Sequence, residues 1–351
     1  MIGWVKGRID RFRGRGAHAA TVPPMDGALR PNTRLEETEV VLRVAAPDNL
    51  ILYRGKVLFS AGRIIDELDT ANANAVVTQW RRCAADVTAL AVEADTLVIG
   101  LSDGTLILSN GEDRVVNGLG PCITALATGR PGQMIVCVGS ARNLCAEWKR
   151  DLLEGGATGS VWVLTIADST AQRVAEGLPW PAGAAMAGER IVVVESWKHR
   201  LTQNGAAPLI TDLPGYPSRL IPAPGGWWLS VFAPRNQLIE LTLRETDYRN
   251  RMMPEVEPDY WIAPSLSPAS NFKEPMQAGA IRTHGIIKPW APTRSYGLLV
   301  RLDAQFRPVD SYHSRADGRF HGITSVHHLG GRVLVASRGG NAFLSLTEVQ
   351  L

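Results

Sequence analysis

The sequence predicts an all-β protein. Short runs rich in Val, Leu and Ile dominate the chain after residue 40, and glycine-containing turns separate them. The 34 Gly and 22 Pro residues are dispersed along the chain, which is typical of many turns. At Asp103-Gly104 two such runs flank a dipeptide that favours the tight turns of antiparallel hairpins.

The strand-like runs repeat as one unit: a short apolar strand, a turn with glycine, a strand of Val, Leu or Ile, a second turn and a third strand. Closely spaced copies recur at about 40 residues, the size of a propeller blade. Repeated antiparallel units of this size predict a six-bladed β-propeller. A solenoid is the alternative, although its repeats are usually shorter. The six copies span residues 48–68, 86–111, 122–140, 181–201, 217–241 and 322–346.

The chain before the first unit divides into an extension and a strand. Residues 1–38 are expected to form a basic, partly flexible extension, in which Lys6 to His18 reads "KGRIDRFRGRGAH". This segment is either a solvated terminus or a contact for a membrane surface or an anionic partner. No apolar core follows the charges, so we do not expect a secretory signal. The run at Glu39 is a candidate strand that closes the ring onto the last blade, and residues 39–351 are expected to form a single propeller domain.

Two insertions interrupt the repeat, at about residues 140–159 and 245–293. The first has a helical middle, with an apolar side formed by Leu144, Trp148, Leu152 and Leu153. Long excursions on a propeller often cover one end of the channel, so both insertions are predicted to act as lids.

Composition excludes several classes of function. A formal net charge of +3 is too small to indicate a nucleic-acid-binding protein. No run of about 18 apolar residues predicts a membrane span. The four cysteines form no CxxC pair, and without a signal peptide a disulfide framework is not expected. We therefore expect a cytoplasmic protein whose partner is a small-molecule substrate.

Several ordered motifs resemble the strictosidine-synthase-like proteins. They are "GSARNLCAEWKRDLLEGGATGSVWVL" at 139–164, "VVVESWKHRL" at 192–201 and "DLPGYPSRL" at 212–220. The resemblance covers roughly residues 45 to 351. It implies a six-bladed propeller with its pocket at the channel mouth. Relatives include plant enzymes that condense an amine with an aldehyde, and calcium-dependent lactonases and arylesterases of the gluconolactonase and paraoxonase type, so the fold does not settle the reaction.

The resemblance also implies a position for a divalent cation. The hydrolytic relatives hold it on the channel axis with Glu, Asn and Asp side chains, and calcium needs about six to eight oxygen ligands. This sequence keeps Asp48, but Ala182 replaces the family's Asn, and Ser218-Arg219 replaces an Asp-Asn pair. Arg219 would place a fixed positive charge beside the ion. We expect no metal, no cofactor and no metal-dependent lactonase activity.

The candidate catalytic residues are His321, Asp48 and Glu195. The condensing enzymes use a glutamate in the final blade, and the matching position here is Thr324, which is not an acid or base near neutral pH. His321 either shuttles a proton in its place or is an exposed turn residue at the rim. Glu195 is the family's own residue and is expected to orient the pocket, and strand alternation would place Trp197 and His199 on its face.

The candidate substrate-binding residues share a predicted position at the channel mouth. Arg219 either binds a carboxylate or phosphate or forms a salt bridge that fills the space of the metal. Cys122 is either a nucleophile or a packed, inert thiol. Trp180 either stacks on a flat substrate or packs between blades. The full set is Arg219, Ser218, Trp180, Thr324, Asp86 and Cys122.

The sequence therefore predicts a strictosidine-synthase-like enzyme, a lyase or hydrolase of secondary or small-molecule metabolism, that acts on a small organic substrate at the channel mouth without a metal. The alternative is a non-catalytic propeller that binds a small molecule or a protein and has lost the family's catalytic residues.

Overall fold

The fold consists of six four-stranded antiparallel sheets arranged as a ring. A computed structural model describes residues 22–69, 75–205, 207–268, 293–329 and 331–347, and also the backbone at 282–283 and 286–287. Each sheet is one blade, so the predicted six-bladed β-propeller is confirmed.

The first three blades consist of consecutive strands, added one after another from the channel outwards, and the first insertion lies within blade 3. Blade 1 comprises β2 (Asp48–Tyr53), β3 (Lys56–Ala61), β4 (Ile64–Asp69) and β5 (Val76–Arg82); blade 2 comprises β6 (Val87–Glu93), β7 (Thr96–Leu101), β8 (Leu106–Ser109) and β9 (Asp113–Val116); blade 3 comprises β10 (Ile123–Thr128), β11 (Gln133–Val138), β12 (Gly159–Thr165) and β13 (Thr170–Leu178).

The last three blades include one interrupted by an insertion and one completed by the N-terminal strand. Blade 4 comprises β14 (Pro181–Ala187), β15 (Arg190–Glu195), β16 (Arg200–Gln203) and β17 (Ala207–Ile210); blade 5 comprises β18 (Gly215–Ala223), β19 (Gly226–Pro234), β22 (Gly297–Asp303) and β23 (Pro308–Ser314); blade 6 comprises β24 (Ile323–Leu329), β25 (Arg332–Ser337), β26 (Ala342–Thr347) and β1 (Glu39–Arg43). A separate pair is formed by β20 (Arg282–Thr283) and β21 (Ile286–Ile287).

The ring closes because β1 pairs antiparallel with β26, as the sequence predicts for the run at Glu39. Each innermost strand contacts the innermost strands of both neighbouring blades, and β24 of blade 6 contacts β2 of blade 1. These six strands, β2, β6, β10, β14, β18 and β24, therefore line the central channel.

Apolar side chains from neighbouring blades pack together and form the core. Between blades 1 and 2, Leu58 and Leu97 are fully buried in one cluster. At the closure, Phe59 of β3 and Phe343 of β26 meet with ring centroids 4.8 Å apart. Burial of each such side chain stabilises the fold by roughly 1.5–3 kcal/mol. Packing between blades thus adds to the pairing of β1 with β26 in holding the ring closed.

Helices occur in the two insertions. In the first, a short 3₁₀ helix (Cys145–Glu147) leads into α1 (Trp148–Glu154). The second leaves β19 and contains α2 (Gln237–Arg244) and α3 (Thr246–Glu255), followed by a 3₁₀ turn (Pro258–Tyr260). No helix in the described part of the chain is long and apolar enough to cross a membrane.

The start of the second insertion differs from the expectation. The third strand of the fifth unit was predicted within 217–241, but residues from Gln237 onwards form α2. The side chain of Asn236 accepts a hydrogen bond from the Leu238 backbone N–H (2.9 Å), which caps this helix at its N-terminus. The third strand of blade 5 is instead β22, from the far side of the insertion.

The described part of the N-terminal extension, residues 22–38, packs against blades 5 and 6. Leu35 is fully buried, and its backbone N–H donates to the His313 carbonyl (3.1 Å). Glu36 accepts hydrogen bonds from the backbone N–H groups of Arg319 (2.8 Å) and Phe320 (3.1 Å). The basic segment from Lys6 to His18 lies outside the described residues.

We expect Phe343→Ala to lower the free energy of unfolding by about 3–5 kcal/mol, because the substitution leaves a cavity at the closure of the ring. Urea denaturation followed by circular dichroism measures this change. Val115→Ala is the control, since Val115 is 57% exposed and should change stability by less than about 0.5 kcal/mol. An effect of Phe343→Ala below about 1 kcal/mol would show that closure does not depend on this contact.

Candidate functional site at the channel mouth

All six innermost strands have a register shift near the same end. Such an irregularity leaves residues outside the ladder and turns their backbone groups away from it. In blade 5 the shift between Pro217 and Leu220 includes Ser218 and Arg219. The corresponding residues of blades 2, 3 and 6 are Thr88, Thr124 and Thr324. The propeller thereby gathers backbone carbonyl groups around one end of its channel.

The side chain of Arg219 crosses the channel and is bound by four other blades. Its Nη1 donates to Asp48 Oδ1 of blade 1 (2.8 Å) and to the Thr324 carbonyl of blade 6 (3.1 Å). Its Nη2 donates to the carbonyls of Thr88 in blade 2 (2.9 Å) and Thr124 in blade 3 (3.4 Å). The side chain is only 12% exposed. Of the two roles considered for Arg219, the structure has the salt bridge to Asp48.

Asp48 is shared between two arginines. Its Oδ1 pairs with Arg219, and its Oδ2 lies 3.3 Å from Nη1 of Arg338, in the turn after β25. Burial alone would raise the pKa of Asp48, but the charges of Arg219 and Arg338 and hydrogen bonds from Asn49 and Thr324 lower it below the ordinary value of 3.8. Asp48 therefore stays ionised at neutral pH.

The guanidinium of Arg219 separates two cavities of the channel, since it lines both. The cavity at the mouth has a volume of about 400 Å³, within the usual range for small-molecule sites. The cavity on the other side has about 490 Å³ and is lined mainly by Leu, Ala, Val and Ile side chains.

The mouth cavity has an aromatic wall and a polar floor. The wall includes Trp180 and Trp197, stacked with centroids 5.0 Å apart, together with Trp148 and Phe232. The floor carries Asp48, Arg219 and Arg338 beside the hydroxyl side chains of Ser60, Thr88, Thr124, Ser218 and Thr324. The arrangement offers a surface for a flat apolar group next to charged and hydrogen-bonding groups.

The first insertion completes this wall. Trp148 of α1 lies against Phe232, with centroids 5.5 Å apart and the rings nearly perpendicular. Asp151 of α1 is buried and accepts a hydrogen bond from Trp197 Nε1 (2.8 Å) and one from Asn143 Nδ2 (3.1 Å). The insertion is thus joined to blade 4 at the mouth.

The second insertion is anchored beside the mouth by buried charges. Glu240 of α2 accepts hydrogen bonds from Arg235 Nε and Nη2, both 3.2 Å, and its Oε1 lies 3.6 Å from His199 Nε2. Burial alone would raise the pKa of Glu240, but His199 and Arg235 lower it to about 2. Leu243 of α2 then packs against the aromatic cluster of the mouth.

Most of the predicted substrate-binding residues do meet at the mouth: Asp86, Trp180, Ser218, Arg219 and Thr324 all line the cavity, and so does Asp48. The Asp86 side chain is 63% exposed and lies 3.6 Å from Arg63. Sequence reasoning missed Arg338, Cys145 and Phe232 as site residues, and it noted Trp148 only as part of an apolar helix side. The helical spacing of apolar residues in the first insertion was the available signal for Trp148.

His321 does not reach the mouth. It is fully buried, its Nδ1 is 2.8 Å from the Ser295 hydroxyl, and its Nε2 is 2.8 Å from the Arg315 carbonyl. Burial lowers the pKa of His321, so the ring is neutral at physiological pH. It is therefore not an exposed rim residue, and internal hydrogen bonds occupy both nitrogens that a proton shuttle would need.

Glu195 is also placed away from the mouth lining. Its carboxylate is fully buried and accepts hydrogen bonds from Arg200 (2.7 Å) and from the Thr202 hydroxyl (2.7 Å), which fix the turn between β15 and β16. The predicted shared face with Trp197 and His199 is wrong, because Ser196–Lys198 form a 3₁₀ turn instead of a strand. Only Trp197 of the three lines the mouth.

Cys122 is fully buried just behind the cavity, and its Sγ contacts the Sγ of Cys145 at 2.8 Å. Burial raises the pKa of the Cys122 thiol, and the neighbouring Cys145 raises it further. With both thiols reduced, the structure supports the interpretation of Cys122 as a packed thiol rather than a nucleophile. Among the residues that the structure describes, no group of three or more His, Cys, Asp and Glu side chains could hold a metal ion.

Solved structures with the same fold confirm the propeller. A gluconolactonase from Xanthomonas campestris matches with a TM-score of 0.53 and 13% identity, over 90% of this chain and 91% of that chain. The PQQ-bound aldose sugar dehydrogenase from Streptomyces coelicolor matches with a TM-score of 0.50 and 13% identity, over 92% of this chain and 99% of that chain. Virginiamycin B lyase from Staphylococcus aureus matches with a TM-score of 0.50 and 9% identity, over 88% of this chain and 98% of that chain.

At these identities the likeness establishes the fold alone. Neither a protein-family model nor a curated protein sequence matches this chain. The six blades are established by the sheets of this chain, and the strictosidine-synthase-like relationship remains a proposal.

We expect Arg219→Met to lower the free energy of unfolding by about 3–5 kcal/mol, since it removes one partner of a buried ion pair. The double variant Arg219→Met with Asp48→Asn should lose less than the sum of the two single variants. Urea denaturation of all three variants measures the coupling.

The control for this cycle is Arg130→Met, because Arg130 pairs with Glu189 while both side chains are largely exposed, at 60% and 81%. Its effect should be below about 1 kcal/mol. Additive losses in the Arg219 and Asp48 variants would contradict the assignment of a coupled pair across the axis.

The lowered pKa of Asp48 also predicts how the stability of the protein depends on pH. Its folded pKa is lowered, so its contribution is present above the ordinary value of 3.8 and is lost as pH falls through the folded pKa. Between about pH 4 and pH 2, the urea midpoint of the wild type should fall more steeply than that of Asp48→Asn. Parallel curves for the two proteins would show that Asp48 has no lowered pKa.

Proposed function

We propose that the channel mouth is a metal-independent binding site for a small organic anion that carries a flat apolar group. The observation that carries this proposal is the composition of the mouth floor, where two guanidinium groups share one carboxylate. The floor formed by Arg219, Arg338 and Asp48 thus has an excess of positive charge next to the tryptophan wall, and Asp86, the other carboxylate of the lining, lies 3.6 Å from Arg63.

Arg338 is the group that we expect to bind the anion. The guanidinium of Arg219 already has four acceptors and is nearly buried. Arg338 is 45% exposed and has one acceptor at 3.3 Å, Asp48 Oδ2. Its remaining donors suit a carboxylate or phosphate, which guanidinium binds in a planar, two-point fashion.

The wall defines the other half of the ligand. Trp148, Trp180 and Trp197 offer aromatic faces and edges within one cavity of about 400 Å³. Stacking of an aromatic group on such a surface adds roughly 0.5–1.5 kcal/mol beyond the burial of area. An aromatic carboxylate is the simplest compound that satisfies both halves.

The independence from metal rests on the position of Arg219. In the hydrolytic relatives that the resemblance implies, a divalent cation lies on the channel axis. A divalent ion about 4 Å from a guanidinium would experience about 8 kcal/mol of repulsion at an effective dielectric constant of about 20. The single carboxylate of Asp48 does not supply the six to eight oxygens that calcium takes.

Catalysis at the same mouth is the second candidate, as a strictosidine-synthase-like lyase or hydrolase. Asp86 favours it, because this carboxylate lines the cavity and is 63% exposed. Of the two carboxylates that line the cavity, Asp86 is the exposed one and pairs with Arg63 at 3.6 Å, whereas Asp48 is buried between two arginines. Turnover of lactones, esters or an amine with an aldehyde, lost by at least about 100-fold in Asp86→Asn, would select this candidate over binding alone.

We expect Arg338→Gln to weaken binding of aromatic carboxylates by at least about 10-fold, because a hydrogen bond to a charged group contributes about 1.5–3 kcal/mol. Titration of a panel of aromatic carboxylates and their uncharged amides, followed by tryptophan fluorescence and calorimetry, measures it. Arg332→Gln is the matched control, because Arg332 begins the strand that ends just before Arg338 but is exposed and outside the mouth lining.

The wild type should prefer the carboxylates to the amides, and neither calcium nor a chelator should change the affinity. Equal binding by wild type and Arg338→Gln would contradict the anion site. Binding that requires calcium would contradict the metal-independent assignment.

A further inference from the structure

Two cysteine side chains meet at the junction between blade 3 and the first insertion. Cys122 directly precedes β10, and Cys145 begins the 3₁₀ helix that leads into α1. Their Sγ atoms are 2.8 Å apart, and both thiols are free. Cys145 lines the mouth cavity, whereas Cys122 is buried in the aromatic cluster behind it.

We propose that Cys122 and Cys145 form a reversible modification site, at which a peroxide converts the two thiols into a disulfide that joins the first insertion to the channel wall. This bond would connect an innermost strand of the ring to the segment that carries Trp148.

The geometry favours this bond. An S–S bond is about 2.05 Å long, so less than about 1 Å of movement closes the 2.8 Å contact. The insertion side of the pair is a short helical turn rather than a strand of the ring, so this side can adjust. The other two cysteines, Cys83 and Cys137, lie in no such sulfur pair, and Cys137 is fully buried in β11.

The difference in exposure sets the order of the steps. Cys145 is half-buried and opens onto the cavity, while Cys122 is fully buried. A dissolved oxidant therefore meets Cys145 first. Burial also raises the pKa of Cys122, which makes this thiol less reactive. The peroxide O–O bond breaks, Cys145 becomes a sulfenic acid, and one water leaves.

The sulfur of Cys122 then attacks the sulfur of Cys145. The S–O bond breaks, the departing oxygen takes the Cys122 proton, and a second water leaves. In total, two thiols and one hydrogen peroxide give one disulfide and two waters, with two electrons passing from sulfur to oxygen. A dithiol reductant reverses the reaction by thiol–disulfide exchange and becomes a cyclic disulfide itself.

The expected consequence concerns the wall of the mouth. α1 holds Trp148 in the cavity and is bonded to Trp197 through Asp151. A disulfide at the start of this segment restricts its opening, so ligand exchange at the mouth should slow. This consequence rests on the function proposed above, whereas formation of the disulfide does not.

The test uses the full chain, reduced with a dithiol, freed of reductant and treated with hydrogen peroxide. The intact mass should fall by about 2 Da, and the change should reverse on reduction. A tryptic map without reduction should show the peptide of Cys145 linked to that of Cys122. Cys122 and Cys137 share one tryptic peptide, because the bond after Arg130 precedes Pro131. The variant Cys137→Ala should therefore retain the linkage and assign it to Cys122.

Cys145→Ser should lose the linkage and the mass change while keeping the same circular dichroism spectrum. The melting temperature of the wild type should rise by about 2 °C or more on oxidation, and that of Cys145→Ser should not. Mass gains of about 16 Da or 32 Da that fragmentation assigns to Cys122 or Cys145, without a linked peptide, would overturn the proposal, since they report single oxidised thiols rather than methionine sulfoxide. A linked peptide together with no ligand binding in either redox state would retain the modification site and reject the proposed function.

Discussion

The ion pair between Arg219 and Asp48 is the contact on which the centre of this propeller depends. Blades of a propeller are separate sheets whose inner strands pack against those of the neighbouring blades, so a group that crosses the channel can also join blades that are not neighbours. Here one guanidinium from blade 5 binds groups of blades 1, 2, 3 and 6. The repeated register shift of the innermost strands makes this arrangement possible, because it frees the carbonyl groups that the arginine needs. The contact explains both the shape and the charge of the mouth.

The fold could be predicted from sequence because its signals are local. Glycine turns and alternating Val, Leu and Ile runs mark each blade, and β1 closes the ring as expected. The errors fall where a short-range signal competes with strand periodicity. The Asn236 cap converts an apolar run into α2, and a 3₁₀ turn at Ser196–Lys198 cancels strand alternation. The capping signal was present in the sequence, but the pattern of the repeat favoured a strand.

The candidate site was only partly predictable. Asp48, Arg219 and Thr324 could be placed at the mouth because each lies at the start of an inner strand. Arg338 follows the second strand of its blade, and only the folded ring brings it to Asp48. His321 illustrates the reverse case: its position in the chain indicated the mouth, but hydrogen bonds to Ser295 and Arg315 hold it in the interior. Burial and partner choice depend on packing between blades, which residue spacing does not report.

Under the proposed function, Arg219 lies where an ion would bind and the mouth around it binds an organic anion. Arg219 provides a fixed positive charge where the sequence resemblance implies a cation, and Asp48 serves both Arg219 and Arg338. The first insertion adds Trp148 on one side, and the cysteine pair lies where this insertion leaves the ring. The proposed anion site depends on the guanidinium lying on the axis, whereas the cysteine pair does not.

A crystal structure grown with calcium in the solution tests this claim most directly. The account predicts planar density for the Arg219 guanidinium on the axis, within hydrogen-bonding distance of Asp48 and of the Thr88 and Thr324 carbonyls. Spherical density coordinated by Asp48, with the Arg219 side chain turned away from the channel, would contradict it.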